Sequence, residues 1–318
     1  MNNKLISIII PVFNRESIIK MTLDSIIAQS YTNWECLIID DGSIDNTEQT
    51  IAEYTKKDNR FKYSKRPNHL VKGANSCRNY GFSLAKGQYI NWFDSDDIMQ
   101  PAFLEKKIAE FKANIDAVIH RNNYANYQLT AFRDSKFEYD NGKSLFYNYA
   151  METIEIQTCG FMWKKTFLVD KPLFDETIMR YQDNEFHIRM LAIQSLKVEI
   201  LETVLATIRS GDGHDSQISA KANITKQKLY DVFYYRYQCL KLAKDNNINV
   251  DAYFNKTIAK KTLWAFYAGL KFESSFTRRL KDFFKYYMRL QYVYSSPQMS
   301  PIDVIKSQFY ILKIIAFR

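Results

Sequence analysis

The stretch Leu5-Ile6-Ser7-Ile8-Ile9-Ile10-Pro11-Val12-Phe13 narrows the folds open to this chain more than any other. It is β-branched and almost continuously apolar, with none of the polar alternation of a strand that has one wet face. Such a strand is buried on both faces, as happens in mainly parallel sheets covered by helices on either side. The next hundred residues keep to that plan. From Glu16 to Ser30 the apolar residues Ile18, Ile19, Leu23, Ile26 and Ile27 recur at helical spacing. A second strand, Glu35 to Ile39, stops on Asp40-Asp41-Gly42-Ser43. A helix over Asn46 to Lys57, a strand over Phe61 to Lys65 and a small-residue helix face at Ala74, Cys77, Gly81 and Leu84 lead to a fourth strand, Tyr89 to Phe93. Strands alternating with helices predict an α/β fold with a mainly parallel sheet, and ligands then sit outside the carboxyl ends of the strands.

The fourth strand ends on Asp94-Ser95-Asp96-Asp97. Three carboxylates within four residues repel one another, and a divalent cation would relieve them. Hard oxygen ligands suit Mg2+ or Mn2+, which keep waters and take phosphate oxygens as further ligands. The alternative is an acidic turn that caps a helix beginning near Pro101. In a parallel sheet Asp40, Asp41, Asp94, Asp96 and Asp97 gather on one rim although they are distant in sequence.

Beyond Pro101 a helix to Lys112 turns Phe103, Leu104, Ile108 and Phe111 inward, and Ala117 to His120 reads as a strand. Residues 122–142 are polar and tyrosine-rich, a loop or β-hairpin placed to form an acceptor wall. A helix carrying Phe186, Met190 and Ile193 on one face starts near Asp183, which is either its N-cap or a functional carboxylate. A strand from Val204 to Ile208 leads into a polar loop with Arg209 and His214. After Ser219 the pattern becomes helical, basic and aromatic. Residues 220–318 hold 18 Lys and Arg against 6 Asp and Glu, a net charge of +12 within a chain whose total is +9. The chain therefore divides into an α/β domain over 1–219 and an α-helical region over 220–318. The helical region is either a core of aromatics under solvated lysines or a surface for the anionic inner leaflet of the cell membrane. No nucleic-acid motif accompanies its charge. Cys36, Cys77, Cys159 and Cys239 are scattered, which argues against zinc and disulfides. The N-terminal apolar run is too short for a signal peptide or a membrane span, so the expected location is the cytoplasm.

Three stretches together resemble the family 2 glycosyltransferases: Ser7-Ile8-Ile9-Ile10-Pro11-Val12-Phe13-Asn14, then Asp40-Asp41-Gly42-Ser43 with Asp45 and Thr47, then Asp94-Ser95-Asp96-Asp97, joined by the segment from Gly73 to Gly87. The resemblance covers residues 5–112 best and does not reach the helical C-terminus. It implies the GT-A nucleotide-sugar-binding fold. It further implies that a loop at Pro11, Phe13 and Asn14 passes over the nucleotide, and that Asp41 or Asp40 accepts from a uracil-like ring. Arg78 approaches the nucleotide, and Asp94, Ser95, Asp96 and Asp97 serve the ribose and the metal. In many relatives an acidic pair opens the later helix and its Asp is the catalytic base. Here the pair is Gln182-Asp183, with the Asp retained. Arg209 and His214 resemble a late Arg-x-x-His element that reaches diphosphate or metal, with its spacing stretched here. His214 is thus a metal-ligand candidate or a plain surface residue.

The implied activity is metal-dependent, inverting transfer of a hexosyl or N-acetylhexosaminyl group from a nucleotide diphosphate sugar, expected to be a UDP-sugar. The acceptor would be a hydroxyl on a lipid-linked glycan of surface polysaccharide. Two other classes stay open: a catalytically silent nucleotide-sugar binder, and a nucleotidyltransferase, whose usual N-terminal Gly-rich loop is missing from residues 5–20.

Overall fold

The structure, a computed structural model, describes residues 4–210, 224–295 and 299–316. They form two compact units. The first takes the described residues up to 137, those of 155–176 and those from 195 to the end of the sheet; the second takes 138–154, 177–194 and the C-terminal helices.

The first unit is a nine-stranded sheet with order β3-β2-β1-β4-β8-β6-β9-β5, where β7 pairs with β6. The strands are β1 (Ile6–Val12), β2 (Trp34–Asp40), β3 (Phe61–Lys65), β4 (Tyr89–Trp92), β5 (Ile98–Met99), β6 (Ala117–Ala125), β7 (Phe132–Asp134), β8 (Phe161–Lys164) and β9 (Val198–Arg209). All of β1 and β2 is buried, as a two-sided apolar run requires. The β3-β2-β1-β4 half is parallel throughout. The other half is mixed: β8 runs antiparallel to β4 and β6, while β9 runs parallel to β6. Residues 122–142 begin as a hairpin of β6 with β7. The helices of this unit are α1 (Ile19–Ile27), α2 (Thr47–Lys57), α3 (Ala74–Leu84), α4 (Phe103–Ala109) and α6 (Lys165–Leu168).

The close face of α3 differs from the expected one at its end. Cys77 and Gly81 are buried, but Leu84 is exposed and Ala85 takes its place. Gly81 sets the distance to the sheet, because a Cβ there would lie 2.4 Å from Ile9 Cγ2 and 3.3 Å from Ile39 Cγ1. Gly81→Ala is therefore expected to destabilise the fold by about 1–3 kcal/mol through overpacking. Leu84→Ala should stay within about 0.5 kcal/mol. Urea unfolding of the two variants measures the contrast.

The second unit is helical: α5 (Leu145–Met151), α7 (Gln182–Leu191), α8 (Lys226–Asp245), α9 (Ala252–Phe272), α10 (Phe276–Tyr294) and α11 (Pro301–Ala316). Its centre is aromatic, with the rings of Phe233 and Phe266 5.4 Å apart and that of Tyr286 5.5 Å from Phe233. Many aromatics of 220–290 thus serve as core. Glu152 ties the segment before α7 to the long helices, since it pairs with Arg236 and, at 2.8 Å, with Lys261. Asp282 binds Lys226 at 3.1 Å and accepts from the Tyr230 hydroxyl at 3.0 Å.

Candidate functional site: an acidic rim on the parallel half of the sheet

The parallel register sets the carboxyl ends of β1, β2 and β4 side by side, with Val12 opposite Asp40 and Ile9 opposite Trp92. The expected rim residues of this unit come together there. Pro11 differs from the expected loop position: it lies inside β1 with Val12, both buried, and the loop begins only at Phe13. Phe93 N–H donates to Ile9 O, the last bond between β4 and β1, so the missing N–H of Pro11 falls beyond the ladder.

From Phe13 the chain is stitched to the loop after β2. Asn14, at φ 51°, donates its N–H to Ser43 Oγ at 3.0 Å and accepts from Ile44 N–H at 2.9 Å; Arg15 N–H donates to Thr47 Oγ1 at 2.7 Å. Phe13 is left exposed with Lys72 Nζ 4.3 Å above its ring.

Asp40 and Asp41 have different duties. Asp40 is buried and fully engaged: Oδ1 accepts from Gly42 and Ser43 N–H groups, and Oδ2 accepts from the Tyr63 hydroxyl at 2.7 Å. That turn needs a φ of 89° at Gly42, a left-handed value that glycine adopts without strain. Among the described residues Asp41 uses only Oδ1, which accepts from Arg66 Nε at 2.6 Å and Gly73 N–H at 3.1 Å. Of the pair, Asp41 is the carboxylate with an oxygen left for a ligand. Arg66 carries no signal in the sequence beyond its place just after β3.

The acidic turn after β4 is held from both sides. Thr22 Oγ1 donates to the carbonyls of Ser95 and Asp97, Arg209 N–H donates to Asp97 Oδ1 at 2.9 Å, and Arg209 Nε donates to Asp96 O at 2.9 Å. Asp94 pairs through Oδ1 with Arg78 at 2.8 Å, while Arg78 also binds Asn75 Oδ1 at 2.9 Å. Burial, with Asp96 and Asp94 nearby, pushes the Asp97 carboxyl well above the usual carboxylate range. Burial and the neighbouring Asp94 push Asp96 upward as well, against a smaller pull from Arg15 and Arg209. Asp94 and Asp97 thus have partners, while the Asp96 side chain forms no ion pair among the described residues.

No group of three or more His, Cys, Asp or Glu side chains among the described residues is arranged to hold a metal alone. The donor set nevertheless fits a hard divalent cation of the kind that completes its shell with waters and phosphate oxygens. Asp96 is half-buried, repelled by its neighbour and without an ion pair among the described residues, so a cation beside it would relieve that repulsion. Asp96 is the residue best suited to hold one, with Asp97 behind it and Asp94 the least free of the three. His214 lies outside the described residues.

Asp183 belongs to the second unit. The helix α7 starts at Gln182, so Asp183 lies inside the first turn rather than at the N-cap, where Tyr181 stands in the left-handed region at φ 59°. The entry to that turn is pinned: Asp231 Oδ2 accepts from the N–H groups of Met179 and Arg180, and the Tyr181 ring lies 5.1 Å from that of Tyr235. Beneath the rim of the first unit lies a fully buried lysine that no motif marks, Lys107.

A family model described as glycosyl transferase family 2 matches residues 7–178. Among curated proteins, an uncharacterized glycosyltransferase of Methanocaldococcus jannaschii is 30% identical over 240 residues, covering 73% of this chain and 79% of its own. The Escherichia coli UDP-Glc:alpha-D-GlcNAc-diphosphoundecaprenol beta-1,3-glucosyltransferase is 38% identical over 130 residues, 41% of this chain and 48% of its own length. Among solved structures, Staphylococcus aureus TarS 1–349 in complex with UDP-GlcNAc superposes with a TM-score of 0.64 at 16% identity, over 97% of this chain and 90% of that one.

Proposed function

Because the chain belongs to the family 2 glycosyltransferases, we propose that it moves a hexosyl or N-acetylhexosaminyl group from a UDP-sugar, with inversion, to a hydroxyl of a lipid-linked glycan. The observation that carries this reading is the row of carboxylates at the carboxyl ends of β2 and β4, where the half-buried Asp96 forms no ion pair among the described residues and shares the rim with Asp41. The names of the relatives support the donor and acceptor classes: the E. coli enzyme uses UDP-Glc on a diphosphoundecaprenol-linked sugar, and TarS was solved with UDP-GlcNAc.

In this reading Asp41 accepts from the base with its open oxygen, oriented by Arg66. Phe13 covers the base, and Asp94, oriented by Arg78, faces the ribose. A magnesium or manganese ion held at Asp96 would supply neutralising charge to the departing diphosphate. Asp183 takes the proton of the attacking hydroxyl as the new C–O bond forms and the anomeric carbon's bond to the diphosphate oxygen breaks. No covalent intermediate with the protein is required.

The test is release of nucleoside diphosphate from a panel of nucleotide sugars on addition of a lipid-linked acceptor, with and without excess chelator. UDP release with one or more UDP-sugars, lost in chelator, is expected. No release from any donor would overturn the activity, and full turnover in chelator would overturn the cation. Asp41→Ala is expected to raise the donor KM about 10- to 100-fold, the loss of one charged hydrogen bond, with kcat changed far less. An unchanged KM would remove Asp41 from base recognition.

A further inference from the structure

The outward faces of α10 and α11 have a composition that the donor site does not explain. On α10 the residues turned inward are Arg279, Tyr286, Leu290 and Val293. Its outward side carries Arg278, Lys281, Phe284, Lys285 and Met288, with Met288 78% exposed and Phe284 66%. The one acid of α10, Asp282, is turned away to Lys226 and Tyr230, and of the stripe's cations Arg278 has the buried Glu273 3.9 Å away. The neighbouring α11 turns Ser307, Ile311, Ile314 and Ile315 inward. It nevertheless keeps a second apolar row, Ile302, Ile305, Phe309 and Leu312, exposed to solvent; Phe309 is 71% exposed. The two helices are joined by the Tyr294 hydroxyl, 3.0 Å from Ser307 Oγ.

We propose that these faces dock the protein on an anionic lipid surface. Lysine and arginine between large exposed apolar residues, along helices that already have a buried side, match the demand of a bilayer interface: anionic headgroups above, acyl chains below. No helix among the described residues is long and apolar enough to cross a membrane, so the contact lies in the interface. A second copy of the chain fits poorly. Pairing the cationic α10 face with itself would oppose like charges.

The full chain is centrifuged with vesicles of neutral phosphatidylcholine, and with vesicles in which part of it is replaced by phosphatidylglycerol, in the absence of any donor. Binding to the anionic vesicles alone, weakened by about 0.5 M salt, is the expected result. Replacing Arg278, Lys281 and Lys285 together by Ser should lower partitioning about 100-fold, roughly fivefold per charge. Two paired variants, Phe284→Glu with Met288→Glu and Ile305→Glu with Phe309→Glu, separate the helices. Tenfold weakening in either pair, with an unchanged circular dichroism spectrum and unchanged UDP release on a water-soluble acceptor analogue, supports the docking. No pelleting of the wild type, or pelleting of both paired variants equal to that of the wild type, overturns it. So does a concentration-dependent dimer in sedimentation velocity that Phe284→Glu with Met288→Glu dissociates, since a second copy then occupies the face. Because vesicle binding is read without donor, its failure leaves the transferase activity standing, and the reverse holds as well.

Discussion

Asp183→Asn is expected to lower kcat for sugar transfer about 100- to 10,000-fold while leaving the affinity for the nucleotide sugar nearly unchanged. The lower figure is what a positioned general base contributes at the least, the upper what it contributes in a well-aligned site. Loss in kcat without loss in donor binding marks a group used only when the acceptor reacts. A mutant keeping most of its turnover would take Asp183 out of the role. An equal loss of donor binding would make it part of the donor pocket instead.

The start of α7 is held from several sides, and Asp183 Oδ1 accepts from the Asn184 N–H of the same turn at 3.0 Å. An N-cap place usually takes Asp, Ser or Asn, whose side-chain oxygen accepts a free N–H. Here that place is taken by Tyr181, a bulky residue at φ 59°, with no side-chain bond to the helix. Such a conformation costs about 1–3 kcal/mol and persists where the surroundings over-determine it. Asp231 does so from α8, holding two consecutive N–H groups just before the turn. The fold thus spends backbone strain on the start of this helix, with Asp183 as the half-buried carboxylate of its first turn.

How far the sequence disclosed the structure depended on whether a residue's duty was periodic or rested on contacts distant in the chain. The parallel half could be read because β1 and β2 are buried on both faces, which leaves only one sheet type. The antiparallel strand β8 could not, since Phe161–Lys164 is a short run whose direction is decided by its neighbours β4 and β6. The rim was legible as a set of carboxylates at strand ends. The difference between Asp40 and Asp41 was not, because it rests on Tyr63, Arg66 and Gly73, each more than 20 residues away. Arg15 and Arg66 looked like ordinary loop cations. Lys107 did carry a signal that was missed: it follows Phe103 by four residues and Leu104 by three, which puts it on the inward stripe of α4.

That lysine leads to the second large effect. Lys107→Met is expected to destabilise the protein by about 1–3 kcal/mol, measured by urea unfolding at neutral pH, because it strands the buried Asn91 Oδ1 and leaves the Cys159 and Gly160 carbonyls with Asn91 Nδ2 at 3.4 Å and His120 Nδ1 at 3.1 Å. Lys107 is fully buried, and its Nζ donates to Asn91 Oδ1 at 2.9 Å, Cys159 O at 3.0 Å and Gly160 O at 3.1 Å, with the Phe103 ring 4.4 Å away. Methionine fills the volume, so no large cavity opens, and the loss comes from the unpaired Asn91 Oδ1 and the hydrogen bonds the two carbonyls lose. It falls where β4 meets the turn before β8, three residues ahead of Asp94. The pH dependence has a definite sign. Burial pushes the Lys107 ammonium well below its ordinary value, so the unfolded chain takes up a proton that the folded chain resists. Stability from this group is complete above about pH 10.4 and is lost as pH falls, by up to about 1.4 kcal/mol per unit, until the folded group itself protonates. His120, fully buried with Nδ1 3.1 Å from the same Gly160 carbonyl, is pushed down by burial and by Lys107. It repeats that sign below about pH 6.5. The wild type should therefore weaken between about pH 7 and 5, before ordinary carboxylates titrate. Lys107→Gln, which keeps two donors, should fall between the two proteins in stability. A Lys107→Met variant as stable as the wild type would mean that Asn91 Oδ1 finds another donor without the lysine.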